Sequence, residues 1–263
     1  MRKTIVDGIF YPADKSTLKT KLEELLAGVQ SQPGKADAIL VPPAGYSYTG
    51  ELAANGFKAV SDRDIRTAVV LAPVTRDAQD GIFLCDYNAF QTPLGDMPVD
   101  QKLCRELLRY KGRFAVNSFP FLEEHSIEVQ LPFIQHLWPE AELVPIHMGK
   151  QNPGTVKQLS KALKGVFADK MESTLFIISA NASPYLVRSL AQEYADSFLA
   201  LAAGGGSEAI LAELQKRKPL PNGTGCTAAV LGMAENEPQV TVLGTADSGG
   251  DKIVCYASLA ISF

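Results

Sequence analysis

Three short runs constrain this chain more than any other feature. Ala38–Val41, 67–71 and 174–178 are apolar almost throughout, and stretches with helical periodicity separate them. A strand with one face in water alternates apolar and polar residues, whereas a continuous run marks a strand covered on both faces, as in parallel sheets flanked by helices. Residues 15–29 carry Leu18, Leu22, Leu25, Leu26 and Val29 on one helical face, with Asp14 or Ser16 as N-cap. Further helices are expected at 51–60, 99–110, 155–167, 185–203, 208–218 and 225–234, the second to last stopped by Pro219 and Pro221. Further strands are expected at 82–90, 114–116, 142–148, 239–244 and 252–261. Residues 123–138 are helical in pattern, with a kink or break at Pro132. The glycines at 204, 205 and 206 read as a helix end and not as a linker. The expected fold is therefore α/β: a single domain over residues 1–263 with a largely parallel or mixed central sheet and helices on both faces.

Composition excludes several classes. A chain of 263 residues is expected to expose about 11,000 Å² of the roughly 41,000 Å² of its unfolded form, so its core needs no disulfide or metal staple. Lys plus Arg is 25 against 29 for Asp plus Glu, a net charge of −4, which lacks the basic excess of a nucleic-acid binder. No run approaches the ~18 apolar residues of a membrane span, and Asp7 and Gly8 interrupt the first apolar stretch, so neither a span nor a secretory leader is expected. Cys85, Cys104, Cys226 and Cys255 form no CxxC pair and read as reduced thiols of a cytoplasmic protein.

In open α/β sheets ligands bind beyond the carboxyl ends of the strands. The loops after the three apolar runs are Pro42-Pro43-Ala44-Gly45-Tyr46-Ser47-Tyr48-Thr49-Gly50, Ala72-Pro73-Val74-Thr75-Arg76-Asp77 and Ser179-Ala180-Asn181-Ala182-Ser183-Pro184. The most unusual segment is Glu123-Glu124-His125-Ser126-Ile127-Glu128. On a helix His125 and Glu128 would share a face, and Glu124 and Glu128 could converge. Such a His could serve as a general base or a metal ligand; the plainer reading is a hydrogen-bonded His at a capped helix start. His136 and His147 read as structural. Cys226 lies near an expected helix N-terminus, where the dipole could lower its pKa and allow a nucleophilic pair with His125, against a role as a small packed residue. Gly223-Thr224-Gly225 lacks the Lys and the spacing of a phosphate loop.

Four stretches taken together, Gly8-Ile9-Phe10-Tyr11-Pro12-Ala13-Asp14, the Pro42-to-Gly50 loop, Thr92-Pro93-Leu94-Gly95 with Val99-Asp100, and Glu124-His125-Ser126-Ile127-Glu128-Val129-Gln130-Leu131-Pro132-Phe133, resemble the Memo-like protein family. Asp247-Ser248-Gly249-Gly250-Asp251 onward is similar as well, so the resemblance covers almost the whole chain. It implies a single α/β domain related to class III extradiol ring-cleaving dioxygenases, with metal-dependent redox chemistry in some members. The family's loops read Pro-His-Ala-Gly-Tyr, Gly-Pro-x-His, Ser-Asp-x-x-His and Cys-Gly-x-Gly-Pro. Here Pro43 and Thr75 stand for the first two His, Asn181 for the Asp, Pro184 for the third His and Asn222 for the Cys, while His125 is retained. Catalytic iron or copper needs about three imidazole, thiolate or carboxylate ligands. The departures therefore imply no metal and no cofactor. The resulting expectation is a pseudoenzyme, or a protein binding a small molecule or a protein partner, with a remodelled pocket of Pro43, Tyr46, Thr75, His125, Ser126, Asn181, Asn222 and Cys226. Residual catalysis would fall to His125 and Cys226. Two alternatives stay open: a dioxygenase-like oxidoreductase using His125, Cys226 and Asp247, and a metal-free hydrolase built on His125 with Cys226, Ser126 or Thr75.

Overall fold

The computed structural model describes residues 1–30, 34–76, 78–204, 206–216 and 220–263. In chain order its elements are α1 (Lys15–Gly28), β1 (Ala38–Val41), α2 (Tyr46–Lys58), β2 (Thr67–Pro73), β3 (Ile82–Leu84), β4 (Ala89–Thr92), β5 (Gly95–Pro98), α3 (Gln101–Leu108), β6 (Phe114–Val116), α4 (Phe119–Glu123), α5 (Leu131–Leu137), β7 (Glu142–Met148), α6 (Pro153–Phe167), β8 (Thr174–Ser179), β9 (Leu186–Val187), α7 (Arg188–Gly204), α8 (Gly206–Gln215), α9 (Thr224–Leu231), β10 (Gln239–Asp247), β11 (Lys252–Ile253) and β12 (Cys255–Ser262). Asp14 caps α1, its Oδ1 accepting from the Thr17 amide at 2.8 Å.

The apolar runs lie side by side. The main sheet has the order β10-β12-β1-β8-β2-β7-β3-β6. Its four central strands, β1, β8, β2 and β7, are parallel. β12 and β3 run antiparallel to their inner neighbours, so the sheet is mixed with a parallel centre. Helices cover both faces, and side-chain alternation shows which helix lies on which. Gly56 of α2 sits over Val41 and Ile39; a Cβ there would come within 2.6 Å of Val41. Val41 is level with Ser179, so the next residue, Ala180, points to the opposite face. There Gly223, at the start of α9, approaches Ala180, and Gly225 approaches Met148. α1 packs on α2 and α5, and α6 and α8 pack on α9. No helix among the described residues is long and apolar enough to cross a membrane.

Several expected elements are divided. Residues 123–138 are not one helix: α4 ends at Glu123, Glu124 is extended, 128–130 form a single 3₁₀ turn, and α5 follows with Pro132 in its first turn. A kink or break was expected at Pro132; the pattern breaks before it, and Pro132 sits in the first turn of α5, where a proline loses no helical hydrogen bond. His125 and Glu128 therefore do not share a helical face. The expected strand 82–90 stops at Leu84, and β4 instead pairs with β5 as a separate hairpin. Residues 252–261 split into β11, which pairs with β9, and β12 in the main sheet. That pairing takes residues 186–187 out of the helix expected from 185, and α7 begins at Arg188. Asp77, Gly205, Lys218 and Pro219, on which loop and helix-end expectations fell, lie outside the described residues.

Candidate functional site

The carboxyl ends of β1, β8, β2 and β7 share one edge of the sheet, and residues 124–130 lie against it. Ser179, the last residue of β8, donates through Oγ to the Ser126 carbonyl at 2.6 Å. Gln130 Nε2 donates to Ser179 Oγ at 2.8 Å and to the Pro42 carbonyl at 3.0 Å. Tyr46 donates its hydroxyl to the Val129 carbonyl at 2.8 Å. His125 Nε2 lies 3.1 Å from the Pro43 carbonyl. A carbonyl only accepts, so Nε2 carries the proton and Nδ1 keeps the lone pair. The Phe10 ring meets the imidazole edge-on at 4.6 Å. Burial pushes the His125 pKa down and favours the neutral ring, against the opposing pull of the Glu124 carboxylate. Thr75 is exposed, yet its amide and Oγ1 both donate to Glu124 Oε1, at 2.6 and 2.7 Å.

Beneath this layer Glu128 is fully buried and ion-paired with Arg2, itself only 2% exposed. The Glu128 carboxylate also accepts from the Tyr11 hydroxyl at 2.6 Å and from the Ile5 and Val6 amides at 3.1 Å. Arg2 donates Nε to the Phe121 carbonyl at 2.8 Å. Burial, together with the neighbouring Glu128 carboxylate, pushes the Tyr11 phenol far up, so it remains a donor. His147 on β7 is fully buried, has the Phe121 ring edge-on at 4.6 Å, and neither ring nitrogen makes a hydrogen bond among the described residues. Desolvation pushes its pKa down to about 4.

Of the residues singled out from the sequence, Pro43, Tyr46, Thr75, His125 and Ser126 are tied into one hydrogen-bonded layer, Tyr46 through Val129, Thr75 through Glu124 and Ser126 through Ser179. Asn181 is half-buried after β8, and Asn222 is exposed before α9; neither side chain bonds to that layer among the described residues. Cys226 is fully buried in α9, on the sheet face opposite Ser179 and the 124–130 segment. Burial pushes its thiol up to about 12, overriding the helix dipole expected to lower it. Asp247 is ion-paired with Arg188 at 2.8 Å. Arg2, Tyr11, Gln130 and Ser179 were given no site role from the sequence, because their partners lie 49 to 126 residues away and leave no local pattern.

The model of the family described as Memo-like protein matches residues 2–250. This chain belongs to the Memo-like protein family. A MEMO1 family protein of Thermotoga maritima is 29% identical over 276 residues, covering 98% of each chain. A MEMO1 family protein of Thermococcus onnurineus is 33% identical over 187 residues, 68% of this chain and 64% of that one. The protein memo-1 homolog of Caenorhabditis elegans is 34% identical over 178 residues, 66% of this chain and 50% of its own length. An uncharacterized protein of Escherichia coli K12, of known crystal structure, shares the fold with a TM-score of 0.55 at 13% identity, over 86% of this chain and 99% of that one.

The donor set of this Memo-like protein does not fit a transition metal. Pro43 offers only a carbonyl, already taken by His125, and Thr75 spends its hydroxyl on Glu124. Among the described residues no three of His, Cys, Asp and Glu converge on a point. Beside the layer, a cavity of about 170 Å³ opens between the loop after β2 and α4. It is lined by Arg76, Phe83, Asn117, Phe119, Glu123 and Glu124 among others.

Proposed function

We propose that this Memo-like protein is a metal-free, non-catalytic member of its family, a cytoplasmic pseudoenzyme that binds a small molecule at a remodelled carboxyl-edge site. The observation that carries this reading is the use of the site's polar groups. His125, Thr75, Ser126 and Ser179 hold loops to one another in place of a metal or a reacting substrate. Neither alternative finds that support. Cys226 lies across the sheet from His125 with its thiol held protonated, and Asp247 is engaged by Arg188. Elemental analysis after gentle purification tests the proposal. The expected result is far below one equivalent of iron, copper or zinc. About one equivalent, lost in His125→Ala, would mean a ligand set other than the three usually required has been assembled, and the proposal would fall.

A further inference from the structure

Glu124 is 6% exposed and uses only half of its carboxylate. Oε1 accepts both Thr75 hydrogen bonds, while Oε2 has no hydrogen-bond partner among the described residues. Oε2 is not among the buried, unpartnered polar atoms of the described residues, so it is open to a cation or donor in the cavity. Glu124 lines the 170 Å³ cavity, and Arg76 lines the same cavity with no ion-pair partner among the described residues. Asn117 accepts from the Phe119 amide through Oδ1, which leaves its NH₂ group to donate. The remaining wall carries an apolar patch of Val74, Phe83, Phe119 and Pro120, with the polar Gln79 and Glu123 beside it. The volume is below the roughly 300–1,000 Å³ of sites for drug-sized ligands, so the occupant is a small metabolite. One carboxylate already held in place by Thr75, one guanidinium without an ion-pair partner among the described residues and an apolar patch of wall correspond to an ammonium, a carboxylate and a short apolar side chain.

We infer that this cavity binds a free α-amino acid with a small apolar side chain, its ammonium on Glu124 and its carboxylate on Arg76. Glu123, exposed at the rim, adds negative charge on the ammonium side. Arg76 supplies a planar donor fork suited to a carboxylate. The inference deepens the binding-protein reading above and rests on it for the claim that a small ligand is held. Metal content tests that reading and amino-acid titration tests this one, so each fails separately.

The experiment is calorimetric titration of the full chain with L-alanine, L-valine and L-leucine, and with isopentylamine and isocaproate, which are leucine without its carboxylate and without its ammonium. At least one amino acid is expected to bind, and each leucine analogue to bind leucine's site at least about tenfold more weakly. Arg76→Ala, at an exposed position that should not disturb folding, is expected to weaken amino-acid binding about tenfold and to leave isopentylamine unchanged. Glu124→Gln keeps an oxygen for Thr75 and is expected to abolish amine binding. Absence of binding by all three amino acids up to their solubility overturns the inference. So does equal affinity for leucine and both analogues, or an Arg76→Ala variant that binds as the parent does.

Discussion

His125 is, in its environment, a tie between loops. His125→Ala leaves the Pro43 carbonyl without its donor and is expected to cost about 1–3 kcal/mol. Thr75→Ala should cost about 1 kcal/mol or less, because the Thr75 amide still holds Glu124 Oε1. Urea melts of the two variants compare them; equal, negligible losses would return His125 to the list of free catalytic groups. His147 controls a different property. Its folded pKa, near 4, lies below the ~6.5 of an unperturbed His. Between those values the unfolded chain binds the extra proton, so stability rises with pH across the window and is lost as pH falls from about 6.5 toward 4. The loss attributable to His147 reaches about 3 kcal/mol, and His125, lowered for the same reason, adds in the same direction. Denaturant midpoints measured at several pH values should show this slope, and His147→Leu should flatten it.

Among the elements, α9 shows how a close approach replaces a reactive site. Gly223 begins the helix with φ +90°, and a Cβ on it would stand 2.3 Å from the Ala180 Cβ. Gly223→Ala therefore adds a collision to the roughly 1–2 kcal/mol of a left-handed residue. The further change Ala180→Gly should recover the collision part only, a partial restoration readable in thermal melts. The same close seating buries Cys226, and burial likewise holds Cys85 near 11 and Cys104 near 12. A thiol reagent near neutral pH should accordingly label these cysteines of the folded protein slowly and of the urea-unfolded protein fast. Rapid labelling of native Cys226 would revive a nucleophilic role.

Across the whole molecule, the Arg2–Glu128 pair fastens the chain's first strap of residues to the centre of the site layer. Removing one partner of a buried, hydrogen-bonded ion pair costs about 3–5 kcal/mol, and Arg2→Ala is expected to fall in that range. Replacing both charges by apolar residues often restores stability. Here it should not, because Glu128 also serves the Ile5 and Val6 amides and the Tyr11 hydroxyl. Arg2→Met with Glu128→Met should therefore stay destabilised, and hydrogen exchange should show residues 2–11 losing protection before the central strands. Recovery in the double variant would mean the amides find other acceptors.

The parallel strands at the centre of the sheet and the Asp14 cap were readable along the chain. Each is a local pattern: a run, a cap or a motif spans a few neighbouring residues and acts through bonds or packing of short sequence separation. The site's state was not local. His125 is set by Pro43, 82 residues earlier, and Glu128 by Arg2, 126 residues earlier. Helical periodicity over 123–138 was a real pattern, but the bonds from 124–130 to three other loops favour an extended segment and a single 3₁₀ turn over a continuous helix. Cys226 and His125 both follow from motifs at one edge of a sheet. Which face each occupies depends on strand register and on α9 docking against Ala180 and Met148. A hydrogen bond or a burial cost arises only when distant segments meet, so the tertiary structure alone decided that His125 links loops and that Glu124 commits one carboxylate oxygen to Thr75.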